Sequence, residues 1–336
     1  MSNPKSLPDI YLSFFMFTAD MKPDDLESRK IIVERIKKLK SFGYSGFEFP
    51  IAPPGDTPNF EKDVQDYTDL RCYLDSQGLA EVKIATNVGA TLTFDPSSPD
   101  GETREKALEY LKSRVDITAA LRGEILMGPI VVAYGDFPTT DSKEMIWSDE
   151  LQELLEIRYK TAQPVLDELG EYAAEKNVKL AIEPITHWET PSFNKLSQVI
   201  EFLKGVKSRQ VGVVIDSAHE ILDGDGPEIF QTQVMKLAEQ NRLHYVQVSP
   251  PDRGALHTSW LPWNSFLKTI LPAYDGPIAI EVFNAIPPFT NLMRLSRRKF
   301  WIPGEDAENP HPNAYEIADA GIKKTREEIK KVLGIS

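Results

Sequence analysis

Residues 178–190 read VKLAIEPITHWET. From Val178 to Ile182 only Lys179 is polar, and then Glu183, His187 and Glu189 fall within seven positions. A strand with one wet face alternates apolar and polar side chains, whereas a run apolar almost throughout fits a parallel sheet covered on both faces. The sudden change to ionisable groups marks the strand's end. That end either runs into a solvated turn or is a place where charge is used. One such stretch leaves both readings open.

The same pattern recurs along the chain. The other apolar runs are IYLSFFMF (10–17), YSGFEFPI (44–51), VKIATNV (82–88), EILMGPIVVAYG (124–135), VGVVIDSA (211–218), LHYVQVSP (243–250) and PIAIEVF (277–283), so with the first there are eight. Between them lie longer segments with helical spacing, such as DDLESRKIIVERIKKLKSFG (24–43), EKDVQDYTDLRCYLDSQG (61–78) and LQELLEIRYKTAQPVLDELGEYAAEKN (151–177), several ending in Gly or Asn as helices do. NAYEIADAGIKKTREEIKKVLG (313–334) reads as the last helix. Eight strand–helix units without a break in composition predict a closed (β/α)8 TIM barrel of class α/β, with residues 1–336 as one domain. An open doubly wound sheet is the runner-up, but neither G-x-G-x-x-G nor G-x-x-x-x-G-K-[ST] occurs. The proline-rich pieces IAPPGDTPNF and NAIPPFTN follow strands 2 and 8 and read as extended loops at the C-terminal mouth.

The composition narrows function. Hydrophobic residues make up 41% and charged residues 26%, ordinary values for a globular chain. With 51 acidic against 38 basic residues the formal net charge is −13, which disfavours extended nucleic-acid binding. The single cysteine, Cys72, forms no internal disulfide and no thiolate metal cluster, so a reducing compartment is expected. The apolar run at 10–17 lacks the flanks of a signal peptide, and no run is long enough to span a membrane. A cytoplasmic protein free of membranes is expected, and a homo-oligomer, dimer or tetramer, is compatible with all of this.

In an α/β barrel the active site lies at the C-terminal strand ends. In the second half these ends carry Glu183, Asp216, Gln247 and Glu281, separated by 33, 31 and 34 residues, each about one strand–helix unit. Three carboxylates converging in a dry mouth repel one another unless a cation joins them. Their oxygens, with the amide oxygen of Gln247, suit a hard divalent ion: Mn²⁺ first, Mg²⁺ or Co²⁺ as alternatives. Glu189, His219 and Arg253 follow Glu183, Asp216 and Gln247 by six, three and six residues, where a bound substrate would sit. Each of these also has an ordinary reading as a local hydrogen bond or surface ion pair.

The motifs EPITHWET, DSAH, QVSPPDRG and EVF together resemble the sugar isomerase/epimerase superfamily with the xylose-isomerase-like barrel, and within it the ketose (tagatose and psicose) 3-epimerases. MGPI on strand 4 and SWLPW after strand 7 resemble secondary marks of that group. The resemblance implies a metal-dependent isomerase or epimerase acting on a carbohydrate, with Glu183, Asp216, Gln247 and Glu281 as metal ligands. Glu183 and Glu281 would exchange a proton through an enediolate, while Glu189, His219 and Arg253 would bind substrate. Three departures stand out. The group's usual strand-7 ligand is His, whereas Gln247 matches hydroxypyruvate isomerases. The group's Ser-Glu-Asn before the arginine is here Ser249, Pro250, Pro251 and Asp252, and loop material is added at 52–62, 136–148 and 284–311. Aldose–ketose isomerisation, elimination from a 3-keto-glycoside, and a sugar-binding barrel without activity therefore stay open.

Other residues remain undecided between chemistry and packing. Trp188, Trp260 and Trp263 would offer apolar faces to a sugar ring or pack at the mouth, and Glu48 would hydrogen-bond within the mouth. His257 would line the mouth, and His244 would be structural. Arg294, Arg297 and Arg298 follow strand 8, near the usual barrel phosphate site, yet also read as a solvated helix start. The five histidines fall mostly outside the ligand positions, which argues against the histidine-rich zinc cluster of family IV apurinic endonucleases.

Overall fold

The computed structural model describes residues 7–55, 57–283, 300, 302 and 312–335. Eight strands are β1 Ile10–Ser13, β2 Gly46–Pro50, β3 Lys83–Asn87, β4 Ile125–Gly128, β5 Lys179–Ile182, β6 Val211–Asp216, β7 Leu243–Val248 and β8 Ile278–Ile280. Each pairs in parallel with the next, and β8 returns to β1 through Ile10 opposite Ile278. The barrel is closed, so this is the (β/α)8 fold expected from the apolar runs.

The helices are α1 Leu26–Phe42, α2 Phe60–Ser76, α3 Gly101–Ala120, α4 Ser148–Glu175, α5 Leu196–Phe202, α6 Ser217–Asp223, α7 Pro227–Glu239, α8 Trp263–Ala273 and α9 Ala314–Leu333. Their ends follow local chemistry. Asp25 caps α1 by accepting from the Ser28 N–H, and Gly43 ends it at φ +105°, a left-handed conformation that suits glycine. Asn313 and Glu316 form a reciprocal capping box on α9. No helix among the described residues is long and apolar enough to cross a membrane.

The barrel interior is filled by unequal side chains. Tyr11 and Tyr245 face Ala85, Ala181 and Ala279, and Gly46 leaves room for the Tyr11 ring, which lies 2.4 Å from where a Cβ would stand. Large residues opposite small ones fill the core at one level and leave the layer above it to polar groups.

Two apolar runs outlast their strands. β1 stops at Ser13 and becomes a 3-10 turn at Phe14–Met16, and β4 stops at Gly128. At Gly128 φ is +129°, and a Cβ would lie 2.3 Å from the Val88 carbonyl oxygen, so the chain turns there. Phe14, Met16, Ile130, Val131 and Val132 remain buried outside the sheet, which is why apolarity alone overstates these strands. Arg294, Arg297, Arg298, His311 and nearly all of the loop at 284–311 lie outside the described residues.

Candidate metal centre and active site

The four strand-end residues are placed by the sheet's own ladder. Glu183, one step past β5, donates its N–H to the Gly128 carbonyl at 3.1 Å, and Glu281, one step past β8, donates to Val248 at 3.1 Å. The β6–β7 ladder shifts register between Val213 and Val214, and beyond that shift Asp216 stands opposite Gln247. Asp216 also caps α6, with Oδ1 accepting from the Ala218 N–H at 3.0 Å and from Ser249 Oγ at 2.6 Å. All four side chains are buried.

Arg253 enters this cluster from a turn. Its N–H donates to the Pro250 carbonyl, and its φ of +54° bends the chain back toward the barrel. Nη1 lies 2.5 Å from Asp216 Oδ2, 2.6 Å from Ser249 Oγ and 3.4 Å from Glu281 Oε2. Nη2 lies 2.8 Å from His219 Nε2 and 3.7 Å from Glu189 Oε1. The Phe283 ring covers the guanidinium at 4.7 Å.

The proton on His219 is assigned by its surroundings. Nδ1 accepts from the Thr186 N–H at 3.0 Å, so a neutral ring carries its proton on Nε2. Glu183 Oε1 at 3.3 Å and Asp216 Oδ2 at 3.6 Å are the acceptors within reach, while Arg253 meets that nitrogen as a second donor. Burial, and then the Arg253 charge, push the His219 pKa down to about 3, which keeps the ring neutral.

Burial also raises the carboxylates. Glu183 is held well above the usual carboxylate range by burial and then by Asp216, and Glu281 by burial and then by Glu48. Burial pushes the Glu189 pKa up as well, against Arg253. At Asp216 burial acts in the same direction, but the Arg253 charge and the bond from Ser249 outweigh it and hold the pKa low. Asp216 is thus the fixed negative charge of the group, and Glu183 and Glu281 are its stronger bases.

The seven residues picked from the sequence converge at one mouth, but not as a symmetric shell. Ligand atoms of Glu183, Asp216 and His219 lie within 4.8 Å of one another, whereas Glu281 is joined to them through Arg253. Gln247 is fully buried; its Nε2 donates to Glu48 Oε2 at 2.9 Å, and its Oε1 has no hydrogen-bond partner among the described residues. Neighbouring carboxylates on Glu183 and Asp216, with an orphaned buried amide oxygen on Gln247 opposite Asp216, are oxygen donors of the kind a hard divalent cation takes.

Above this group opens a cavity of about 410 Å³. Glu183, Glu189, Glu281, His219 and Tyr134 give it a polar floor, and Phe15, Ile51, Pro53 and Phe283 an apolar wall. Tyr134 Oη donates to Glu189 Oε2 at 2.9 Å and holds that carboxylate in place. The tryptophans do not supply the wall. Trp263 is buried in the core, and Trp188 and Trp260 are 58% and 80% exposed and outside the cavity lining. His257 is exposed, His187 pairs with Asp223 at the surface, and buried His244 bonds the Leu180 and Asn241 carbonyls.

Residues not singled out from the sequence are Ser13, Asn87, Tyr134, Phe15 and Phe283. Ser13 and Asn87 close β1 and β3. Applying the strand-end rule to the first half of the chain would have found these two. Ser13 Oγ and Asn87 Nδ2 donate to Glu48 Oε1 at 2.9 and 3.3 Å, and burial lifts the Glu48 pKa to about 7 against these bonds.

A closed eight-stranded barrel with acidic strand ends defines a class of enzyme-bearing folds, and sequence comparison makes the class specific. Residues 36–300 match the xylose isomerase-like TIM barrel family model, and the chain belongs to that family. A structure from Anabaena variabilis ATCC 29413, itself assigned only provisionally as a sugar phosphate isomerase/epimerase, is 72% identical, with a TM-score of 0.94, over 97% of this chain and 100% of that one. L-ribulose 3-epimerase of Methylomonas sp. (strain DH-1) is 25% identical over 223 residues, 66% of this chain and 72% of the relative. D-allulose 3-epimerase from Methylomonas sp., in complex with D-allulose, shares the fold at a TM-score of 0.71 and 20% identity, covering 98% of this chain and 99% of that one. Its relatives are sugar epimerases and isomerases.

Proposed function

We propose that this chain is a divalent-metal-dependent sugar epimerase or isomerase that moves a proton at the carbon beside a ketose carbonyl, with ketose 3-epimerisation as the leading reaction. The observation that carries this reading is the gathering of three buried carboxylates at one barrel mouth: Glu183 and Asp216 have oxygens within 4.8 Å of each other, Asp216 and Glu281 share Arg253, and Glu183 and Glu281 line the cavity. The likeness to L-ribulose 3-epimerase supports it. Glu183, Asp216, Gln247 and Glu281 would hold one ion, Mn²⁺ in the first place. The ion, when bound, draws electron density from the substrate carbonyl and so acidifies the neighbouring C–H.

The remaining work belongs to the side chains. Glu183 takes the proton as the C–H bond breaks and the electron pair passes into an enediolate. Glu281 returns a proton to the other face, which inverts the carbon. Both carboxylates line the cavity, where a bound substrate would lie within their reach. Arg253 and neutral His219 donate to oxygens on which negative charge grows. Glu189, steadied by Tyr134, orients a substrate hydroxyl. The apolar wall of Phe15, Ile51, Pro53 and Phe283 favours a second reading, in which the substrate is a 3-keto-glycoside and an apolar leaving group rests there.

Incubation of the Mn²⁺-treated protein with ketoses, 3-keto-glycosides and hydroxypyruvate, with products separated chromatographically, tests the proposal. A C3 epimer supports the leading reaction. A released aglycone supports the second reading, and an aldose product supports isomerisation. No product from any substrate, with the metal bound, would leave a sugar-binding barrel.

A further inference from the structure

The metal reading leaves one buried acid without a task. Glu48, in the middle of β2, is fully buried and makes no ion pair with a basic side chain among the described residues. It accepts three hydrogen bonds, from Ser13 on β1, Asn87 on β3 and Gln247 on β7, at 2.9, 3.3 and 2.9 Å. Two of these donors tie it to its neighbouring strands, and the third crosses the barrel.

That third bond settles a choice open to any glutamine. The two arms of a primary amide are nearly the same size, and only the partners decide which carries oxygen. If Gln247 were flipped, its oxygen would face Glu48 Oε2, which for the ionised carboxylate is acceptor against acceptor. Its NH₂ would then point away from Glu48 and have no lone pair to offer a cation. With Nε2 on Glu48, the oxygen occupies the other arm and stays unsatisfied. A buried acceptor without a partner is unfavourable, so this orientation is held against a penalty that a bound cation would remove.

We infer that Glu48 is a positioning residue that fixes the amide of Gln247 so that its oxygen is presented to the metal site, with Ser13 and Asn87 holding Glu48 in turn. The inference rests on the metal reading above. It assigns the first half of the barrel a part in the site: β1, β2 and β3 orient a ligand carried by β7. In Glu48→Gln the new amide can donate as well as accept, so Gln247 is free to present either arm, and the metal loses a defined oxygen.

A double-mutant cycle on Mn²⁺ affinity tests this, read by competition with a chromophoric chelator and needing no activity. The proteins are the wild type, Glu48→Gln, Gln247→Ala and the double variant. Glu48→Gln is expected to weaken Mn²⁺ binding about 10–100-fold, the usual cost of losing a partner behind a ligand. In the Gln247→Ala background the same change should cost less than about threefold. Equal losses in both backgrounds would show that Glu48 acts only through its charge, and no loss in the first would show that it does not orient Gln247; either result overturns the inference. If Glu48→Gln does not fold, Glu48→Asp carries the same cycle, since its shorter side chain withdraws from Nε2. A wild type that binds no Mn²⁺ would overturn the metal reading and this inference together, whereas a wild type that binds without coupling overturns this inference alone.

Discussion

Replacing Glu183 by Gln should stabilise the metal-free protein and abolish most of its response to metal. The side chain keeps its shape, and an oxygen remains in the place of Glu183 Oε1, 3.3 Å from His219 Nε2. What is lost is one negative charge within 4.8 Å of Asp216. At that distance and an effective dielectric constant near 20, two full charges repel by about 3.5 kcal/mol. Arg253, paired with Asp216, screens the two charges from each other. A gain of about 1–2 kcal/mol at pH 8 remains, or about 2 °C in melting temperature for a chain of this size. With Mn²⁺ at a hundred times its dissociation constant the wild type gains about 2.7 kcal/mol; a variant binding a hundredfold more weakly gains about 0.4 kcal/mol. The two melting curves should therefore change order. Differential scanning fluorimetry with EDTA and with Mn²⁺ reads both states. A variant that melts below the wild type in EDTA, or that gains as much from Mn²⁺, would refute the charge-crowding account of Glu183.

Arg253→Met should cost the metal-free protein about 3–5 kcal/mol, because it strips the cation from buried Asp216 and Glu281, and Mn²⁺ should stabilise it more than it does the wild type; melting with and without metal checks both parts. Gln247→His should raise affinity for Co²⁺, Ni²⁺ or Zn²⁺ relative to Mn²⁺ about tenfold, since it replaces a hard oxygen by an imidazole nitrogen; unchanged metal preference in titrations would place Gln247 outside the metal's ligands. Glu220, raised to about 7 by burial and then by Asp225, stabilises the fold fully below about pH 4.5 and loses that contribution as pH rises toward 7. Glu220→Gln should accordingly flatten the fall in melting temperature between pH 5 and 8 and gain about 1–3 kcal/mol at pH 8, and an unaltered slope would contradict it.

The sequence was most readable where geometry repeats. The spacing of Glu183, Asp216, Gln247 and Glu281 follows the strand–helix period, and a period survives in one dimension. Strand lengths were less readable, because Phe14 and Ile130 are as buried outside the sheet as Leu12 is within it. The ion-pairing of Arg253 depends on a left-handed turn after two prolines, which spacing alone does not convey. The aromatic wall comes from Phe15 and Phe283 rather than from the tryptophans, since the choice depends on which way each loop folds over the mouth. The bond from Gln247 to Glu48 joins residues 199 apart, and no local pattern announces it.

Proton exchange at the substrate carbon tests the central claim most directly. Protein freed of metal, and the same protein reloaded with Mn²⁺, would be incubated with a ketohexose in heavy water and quenched with EDTA before proton NMR. The account predicts loss of the C3–H signal and growth of a C3-deuterated epimer with Mn²⁺, and neither without it; Glu183→Gln and Glu281→Gln should each suppress both. A folded, metal-bound wild type that leaves every C–H of the tested ketoses, 3-keto-glycosides and hydroxypyruvate unexchanged would contradict it.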